Sequence, residues 1–259
     1  MGIDFHEKKN RNSYTTRKAN QSWIQMVKEL VPINNTTHAV DIGCGGGIYC
    51  KALADMGVAT VTGVDFSKVM IEGAIINCEN YPNISFQKGN AFETGLKGNY
   101  YDLLLERALI HHIEDLESCF KEAYRVLKKG GYLIIQDRTP ADCLLPGDEQ
   151  HIRGYFFELF PKLGEKEIQR RHSSNLVMET LTKAGFKEIE EVKLWEIRNI
   201  YDNKVQLLDD LKERTGRSIL HELDDKELNL LIHSIDDAVS KRTNIIEKDR
   251  WTIWKAVKR

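Results

Sequence analysis

An acid and three alternate glycines, Asp41-Ile42-Gly43-Cys44-Gly45-Gly46-Gly47, stand where the short apolar run Ala39 to Ile42 gives way to a helical pattern. An acid-x-G-x-G-x-G match arises by chance in about one chain of this length in a hundred. Glycines let a turn adopt backbone angles that other residues avoid and let a ligand approach the main chain. The helix that follows offers its N-terminus to a carboxylate or phosphate. The run therefore predicts a strand, a tight turn and a helix around a small ligand. A phosphate loop requires G-x-x-x-x-G-K-[ST], whereas here Lys51 follows Cys50 and precedes Ala52. A dinucleotide turn requires G-x-G-x-x-G/A, and counting from Gly43 or Gly45 puts Ile48 or Cys50 in the last place.

The same strand-helix rhythm extends beyond this turn. Trp23, Val27, Leu30 and Val31 recur at helical spacing and Pro32 closes an entry helix, so 1–36 reads as a polar arm plus that helix, and 37–259 as the main domain. Strands are predicted at Thr60 to Val64, Ile84 to Gln87, Tyr101 to Leu105 and Tyr132 to Gln136, with helices between them. Lys128-Lys129-Gly130-Gly131 reads as the C-terminus of the helix that carries Leu116, Cys119, Phe120, Ala123 and Leu127. Alternation of this kind implies an α/β fold, a mostly parallel sheet with helices on both faces, and ligands at the carboxyl ends of the strands. Beyond Arg138 the rhythm breaks. Segments 142–172 and 202–248 read as cap insertions, the second with an Asp224-x-x-Glu227 capping box.

Composition narrows the partners. The formal net charge of -2 removes the overall basicity that makes nucleic acid a default partner. No apolar run reaches the roughly 18 residues of a membrane helix, and no signal-peptide pattern opens the chain, so a cytoplasmic protein is expected. The 5 cysteines form no C-x-x-C pair, which fits reduced thiols and no metal site.

The glycine run resembles motif I of the class I S-adenosylmethionine-dependent methyltransferases. Asp65, 18 residues after Gly47 at the end of Val61-Thr62-Gly63-Val64-Asp65, resembles that family's ribose-binding acid. Gly89-Asn90-Ala91-Phe92 occupies the place of its adenine-reading Asp-Ala pair, with Asn departing from Asp. Glu106-Arg107-Ala108-Leu109-Ile110-His111-His112 resembles its exit from strand four, with Arg107 where small residues are commoner, and Arg125 to Ile135 resembles its signature before strand five. The resemblance is strong over Thr37 to Asp137 and is closest to the small-molecule branch called type 11.

This resemblance implies a Rossmann-like, seven-stranded, mostly parallel sheet with one antiparallel strand near the C-terminal end, helices on both faces and a helical cap. It implies S-adenosylmethionine as cofactor, S-adenosylhomocysteine as product, and in-line transfer to an O, N or C atom of a small molecule. The implied cofactor contacts are Asp41, Gly43, Cys44, Gly45, Gly47, Asp65, Phe66, Asn90 through its side-chain carbonyl, Ala91, Phe92 and Arg107, with Tyr14 and Arg17 from the arm. Several roles remain divided at this level. Asp65 alone also suits a nicotinamide enzyme or a helix cap ahead of Ser67. Glu106 lines the cofactor or serves as general base. His111 is a general base or a loop residue without chemistry. His112, Arg138, Tyr155 and Arg217 are candidate acceptor contacts, the arginines suiting an anionic acceptor. A nucleic-acid methyltransferase, a nicotinamide oxidoreductase and a non-catalytic cofactor-binding protein are the alternatives. The oligomeric state is not readable.

Overall fold

In the computed structural model, which describes residues 18–240 and 243–259, seven strands form one sheet. They are β1 (His38–Ile42), β2 (Thr60–Asp65), β3 (Ile84–Lys88), β4 (Tyr101–Arg107), β5 (Leu127–Asp137), β6 (Phe186–Asn203) and β7 (Thr243–Lys258), hydrogen-bonded in the order β3-β2-β1-β4-β5-β7-β6. The pairs from β3 through β5 are parallel, and β7 runs antiparallel to β5 with Tyr132 opposite Val257 and Asp137 opposite Thr252. The chain thus reverses direction between β3 and β4, crossing from one side of β1 to the other. That reversal opens a crevice at the carboxyl ends of the strands.

Strand sequences explain why both faces are covered. Successive side chains point to opposite faces, and in β4 Leu103 and Leu105 join one core cluster while Leu104 joins the other. One face packs α4 (Leu116–Val126), whose Phe120 and Ala123 are fully buried; Trp254 of β7 lies in the same cluster. The other face packs α1 (Gln21–Leu30) through Trp23 and Val27, and α2 (Ile48–Asp55) through Cys50 and Leu53. α3 (Lys68–Asn77) is capped by Ser67, and α8 (Ser174–Lys183) by Ser173.

One boundary differs from the sequence reading. α4 ends at Val126, and Lys128-Lys129-Gly130-Gly131 lies within β5 rather than at the helix end. Tyr101 pairs with Leu127 and Leu103 with Tyr132, so the extra residues loop out as a bulge that Gly130 accommodates with φ of 83°. Lysine and glycine serve a bulge as readily as a helix stop, and the pattern alone does not separate them.

Among the described residues the chain divides into two units. The first holds 18–137, 172–194 and 252–259. The second holds 138–171, 195–240 and 243–251. Within the second, α5 (Pro140–Cys143), α6 (Ile152–Leu159), α7 (Pro161–Gln169), α9 (Lys204–Lys212) and α10 (Asp225–Ala238) surround their own apolar cluster of Phe156, Leu163, Leu207, Leu231 and Ile235. The expected capping box is formed: the Asp224 carboxylate accepts from the Glu227 amide while the Glu227 carboxylate accepts from the Asp224 amide. No helix among the described residues is long and apolar enough to cross a membrane.

Candidate functional site

The glycine run forms the turn from β1 into α2. The amides of Gly43 and Cys44 donate to the Val64 carbonyl at 2.8 and 3.0 Å, tying the turn to the end of β2. Gly47 has φ of 77°, and a Cβ there would sit 2.8 Å from Cys78 Sγ and 3.1 Å from the Phe86 ring, so both conformation and space demand glycine. Gly45 has φ of 51° but meets only Met70 Cε, at 3.6 Å, so its outer side is open to a ligand.

Asp65 closes the turn from the β2 side. One carboxylate oxygen accepts the Gly45 amide at 2.9 Å and the other accepts the Ser67 amide at 2.9 Å. A carboxylate oriented in this way is of the chemical type that accepts hydrogen bonds from two adjacent hydroxyls. Phe66 and Phe92, at the carboxyl ends of the adjacent strands β2 and β3, are 49% and 46% exposed, and Ala91 between the loops is buried. A flat aromatic ligand finds two apolar faces of the right kind there.

Asn90 departs from its expected role. Its side-chain carbonyl accepts the amides of Phe92 at 2.8 Å and Glu93 at 2.7 Å, which spends both lone pairs. The group left to read a base is its NH2, a donor, not the carbonyl that the sequence suggested.

Asp41 projects to the α2 side, 2% exposed, and accepts a weak hydrogen bond from the Cys50 thiol at 3.4 Å. Burial pushes its carboxyl up to about 7; the Cys50 contact lowers it, the nearby Asp65 charge raises it, and Arg107 lowers it. Arg107, at the end of β4, lays its guanidinium 4.3 Å from the Tyr49 ring centroid and donates Nε to Gln136 at 2.9 Å. Ala108 then takes φ of 51°, unusual for a residue with a Cβ, as the chain leaves the sheet. Tyr49, Gln136 and Ala108 were not signalled by the sequence.

Two neighbouring candidates separate sharply. His111, in the short 3-10 turn Ile110–His112, shares Nδ1 with both oxygens of Asp137 at 2.8 and 3.1 Å, and its amide donates to the same carboxylate at 3.2 Å. Asp137, at the end of β5, is 1% exposed. A carboxylate partner fixes the proton on Nδ1 and leaves Nε2 as the basic nitrogen. His112 stacks beside it with ring centroids 4.0 Å apart. Asp137 was absent from the sequence reading, although an acid at a strand's carboxyl end is the type of residue to look for.

Glu106, by contrast, is wholly buried beneath α4, where Oε1 takes a weak bond from the Cys119 thiol at 3.5 Å and Oε2 has no partner among the described residues. Burial pushes its carboxyl up to about 8 against that thiol bond. It therefore carries its proton at neutral pH and is no general base for a solvent-facing substrate. Between its ordinary value of 4.5 and about 8 the folded chain holds one proton more than the unfolded chain, so this group lowers stability as pH rises. Glu106→Gln is expected to be more stable than the parent by on the order of 3 kcal/mol at pH 7 and by about nothing below pH 4.5. Denaturant unfolding across pH 4 to 8 checks this, and parallel pH profiles for the two proteins would contradict it.

The remaining acceptor candidates lie in the second unit. Arg138 stacks on Trp251, 4.4 Å from the ring centroid, near Asp249. Tyr155 packs its ring against Gly147, where a Cβ would come within 2.6 Å. Arg217 is 1% exposed and bound to Glu247 at 2.7 Å and Asp210 at 2.5 Å, with Tyr201 accepting at 3.1 Å; it holds that unit's interior together rather than facing an acceptor. Tyr14 and Arg17 lie outside the described residues. No group of three or more metal-ligating side chains occurs among the described residues.

The sheet order, the glycine turn and the acid at the end of β2 define the class I methyltransferase fold. Residues 40–135 match the family described as "Methyltransferase domain". A demethylmenaquinone methyltransferase from Bacillus licheniformis is 29% identical over 156 residues, covering 60% of this chain and 66% of that one. Among solved structures, a candidate methyltransferase of an antibiotic biosynthesis pathway from Anabaena variabilis aligns with a TM-score of 0.70 at 19% identity, over 92% of this chain and 98% of that chain. Phosphoethanolamine N-methyltransferase 2 of Haemonchus contortus, in complex with S-adenosyl-L-methionine, aligns with a TM-score of 0.59 at 18% identity, over 99% of this chain and 60% of that one. The chain thus spans less than two thirds of the Bacillus and Haemonchus proteins' lengths.

Proposed function

We propose that the chain transfers the methyl group of S-adenosylmethionine to a nucleophilic atom of a small molecule. The carrying observation is Asp65, whose carboxylate is fixed by the Gly45 and Ser67 amides at the mouth of the glycine turn, as a reader of two adjacent hydroxyls must be. The residues present fit that cofactor. Gly45 leaves open the space that a side chain would fill, Asp65 suits the ribose, Phe66 and Phe92 offer faces to adenine, and the Asn90 NH2 suits a ring nitrogen acceptor. Asp41, near neutrality in its protonation, suits the methionyl ammonium and is drawn to its ionised form by it.

S-adenosylmethionine supplies a methyl group on a positively charged sulfur, which is lost as charge in the displacement. The chain's part is to align the acceptor, exclude water and take any proton that the acceptor sheds. His111 is the residue built for the last task, because Asp137 holds its ring and its tautomer. The name of the Bacillus relative supports a small-molecule acceptor without fixing which atom is methylated. Five unpaired, buried cysteines support a reducing, cytoplasmic setting.

Incubation with methyl-labelled S-adenosylmethionine and a panel of phenols, amines and carboxylated or phosphorylated small molecules tests the proposal. Label transfer with formation of one S-adenosylhomocysteine per methyl is expected. Turnover of mixed RNA instead, or reduction of NAD by the panel, would overturn it.

A further inference from the structure

The second unit contains a cluster of charge that the fold alone does not explain. Arg138, Arg153, Arg170 and Arg171 converge on two carboxylates, Glu167 and Asp249, among the described residues. Glu167 is fully buried and Asp249 is 6% exposed; burial opposes their ionisation, but the surrounding arginines hold both well below the usual carboxylate range. Among the described residues, four arginines stand here against two carboxylates. Burial, reinforced by the charges of Arg153 and Arg171, brings even the Arg138 guanidinium down to about 10. Buried charge of one sign is costly unless something of the other sign joins it.

The geometry shows where such a group would enter. Arg153 is 7% exposed and donates Nε to Asp249 at 3.3 Å, yet its Nη1 is buried without a hydrogen bond, 3.8 Å from the nearest Glu167 oxygen. His151, two residues earlier at the start of α6, is 1% exposed. Its Nδ1 is used by the Pro146 carbonyl at 3.0 Å, while Nε2 is buried without a partner among the described residues. Both lie near the same acid, Asp249, whose carboxyl Arg153 and His151 each help to hold low. Trp251 backs Arg138, and the Trp195 ring backs His151 at 5.5 Å. Orphaned buried polar atoms of this kind call for a ligand or an ordered water.

We infer that Arg153 and His151, with Arg138 beside them, form a binding site for a small oxyanion, a carboxylate or a phosphate. A guanidinium fork matches either anion, and a histidine Nε2 beside it accepts from the acid hydrogen of a monoprotonated oxyanion or donates when charged. This anion site does not rest on the proposed methyl transfer.

The test is calorimetric titration of the full chain with sodium phosphate and with sodium acetate, against sodium chloride at matched ionic strength. Saturable binding of phosphate, acetate or both is expected, and the preferred anion names the acid group. Arg153→Gln is expected to weaken that binding at least tenfold while S-adenosylmethionine affinity changes less than twofold, and Arg153→Lys is expected to retain part of it. If Arg153→Gln does not fold, Arg153→Lys and His151→Phe take its place, each expected to bind the anion more weakly than the parent. Binding no stronger than chloride, or binding untouched in folded variants, would overturn the site. Anion binding without S-adenosylmethionine binding would instead overturn the methyl-transfer reading and leave the site standing.

Discussion

Asp65→Ala is expected to reduce S-adenosylmethionine affinity by about a hundredfold or more. Two hydroxyl hydrogen bonds to a charged acceptor contribute roughly 1.5 to 3 kcal/mol each, and the substitution also frees the Gly45 and Ser67 amides that the carboxylate now holds. Asp65→Asn keeps one acceptor oxygen and is expected to fall between the two. Circular dichroism and thermal unfolding separate lost binding from lost structure. Affinity unchanged in a folded Asp65→Ala protein would remove the ribose role, leaving Asp65 as a device that joins β2 to the turn.

The second large effect concerns the proton. His111→Ala is expected to lower kcat for an acceptor that must be deprotonated by 10² to 10⁴, about the usual contribution of a general base, with cofactor affinity nearly unchanged. Asp137→Asn is the more informative variant. An amide at that place keeps one oxygen to accept the His111 main-chain amide and turns its NH2 toward Nδ1, which moves the ring proton to Nε2 and removes the base. It is therefore expected to reproduce most of the loss in kcat while cofactor affinity and thermal stability stay near the parent's, whereas a purely structural role would lower thermal stability and leave kcat per folded molecule intact. Equal rates for the parent and both variants would show that the acceptor needs no base, as a thiolate or a neutral amine would not.

The parts of the fold that were legible in the sequence depend on local rules. The strand-turn-helix at Asp41 to Gly47 announces itself because positive φ and close packing against Cys78 and Phe86 admit little but glycine. The capping box of α10 is equally local, and it is present. Lys128 to Gly131 was misplaced because a bulge depends on the partner strand's register, which no local pattern states. The site divides in the same way. Asp65 sits at a recognisable spacing, but Asn90 was given the wrong functional group, since the choice of its oxygen is made by two neighbouring amides that only the folded loop aligns.

Glu106 was expected near ligand from its place at the exit of strand four, and Arg217 from the fit of a guanidinium fork to an anionic acceptor. The fold buries both, one protonated under α4 and the other neutralised by Glu247 and Asp210. Asp137 illustrates the converse. It is an ordinary acid in the sequence, 26 residues from His111, and acquires a role only because β4 and β5 are parallel neighbours whose ends meet.

The central claim is that the turn from β1 to α2, together with Asp65, holds S-adenosylmethionine. Calorimetric titration of the purified chain with S-adenosylmethionine and S-adenosylhomocysteine, with NAD and NADP as controls, tests it most directly. Saturable binding of the first two at one site per chain, with no heat from the nicotinamide cofactors, is the result the account predicts. Binding of NAD or NADP instead, or no binding of either adenosyl compound to a folded sample, would contradict it.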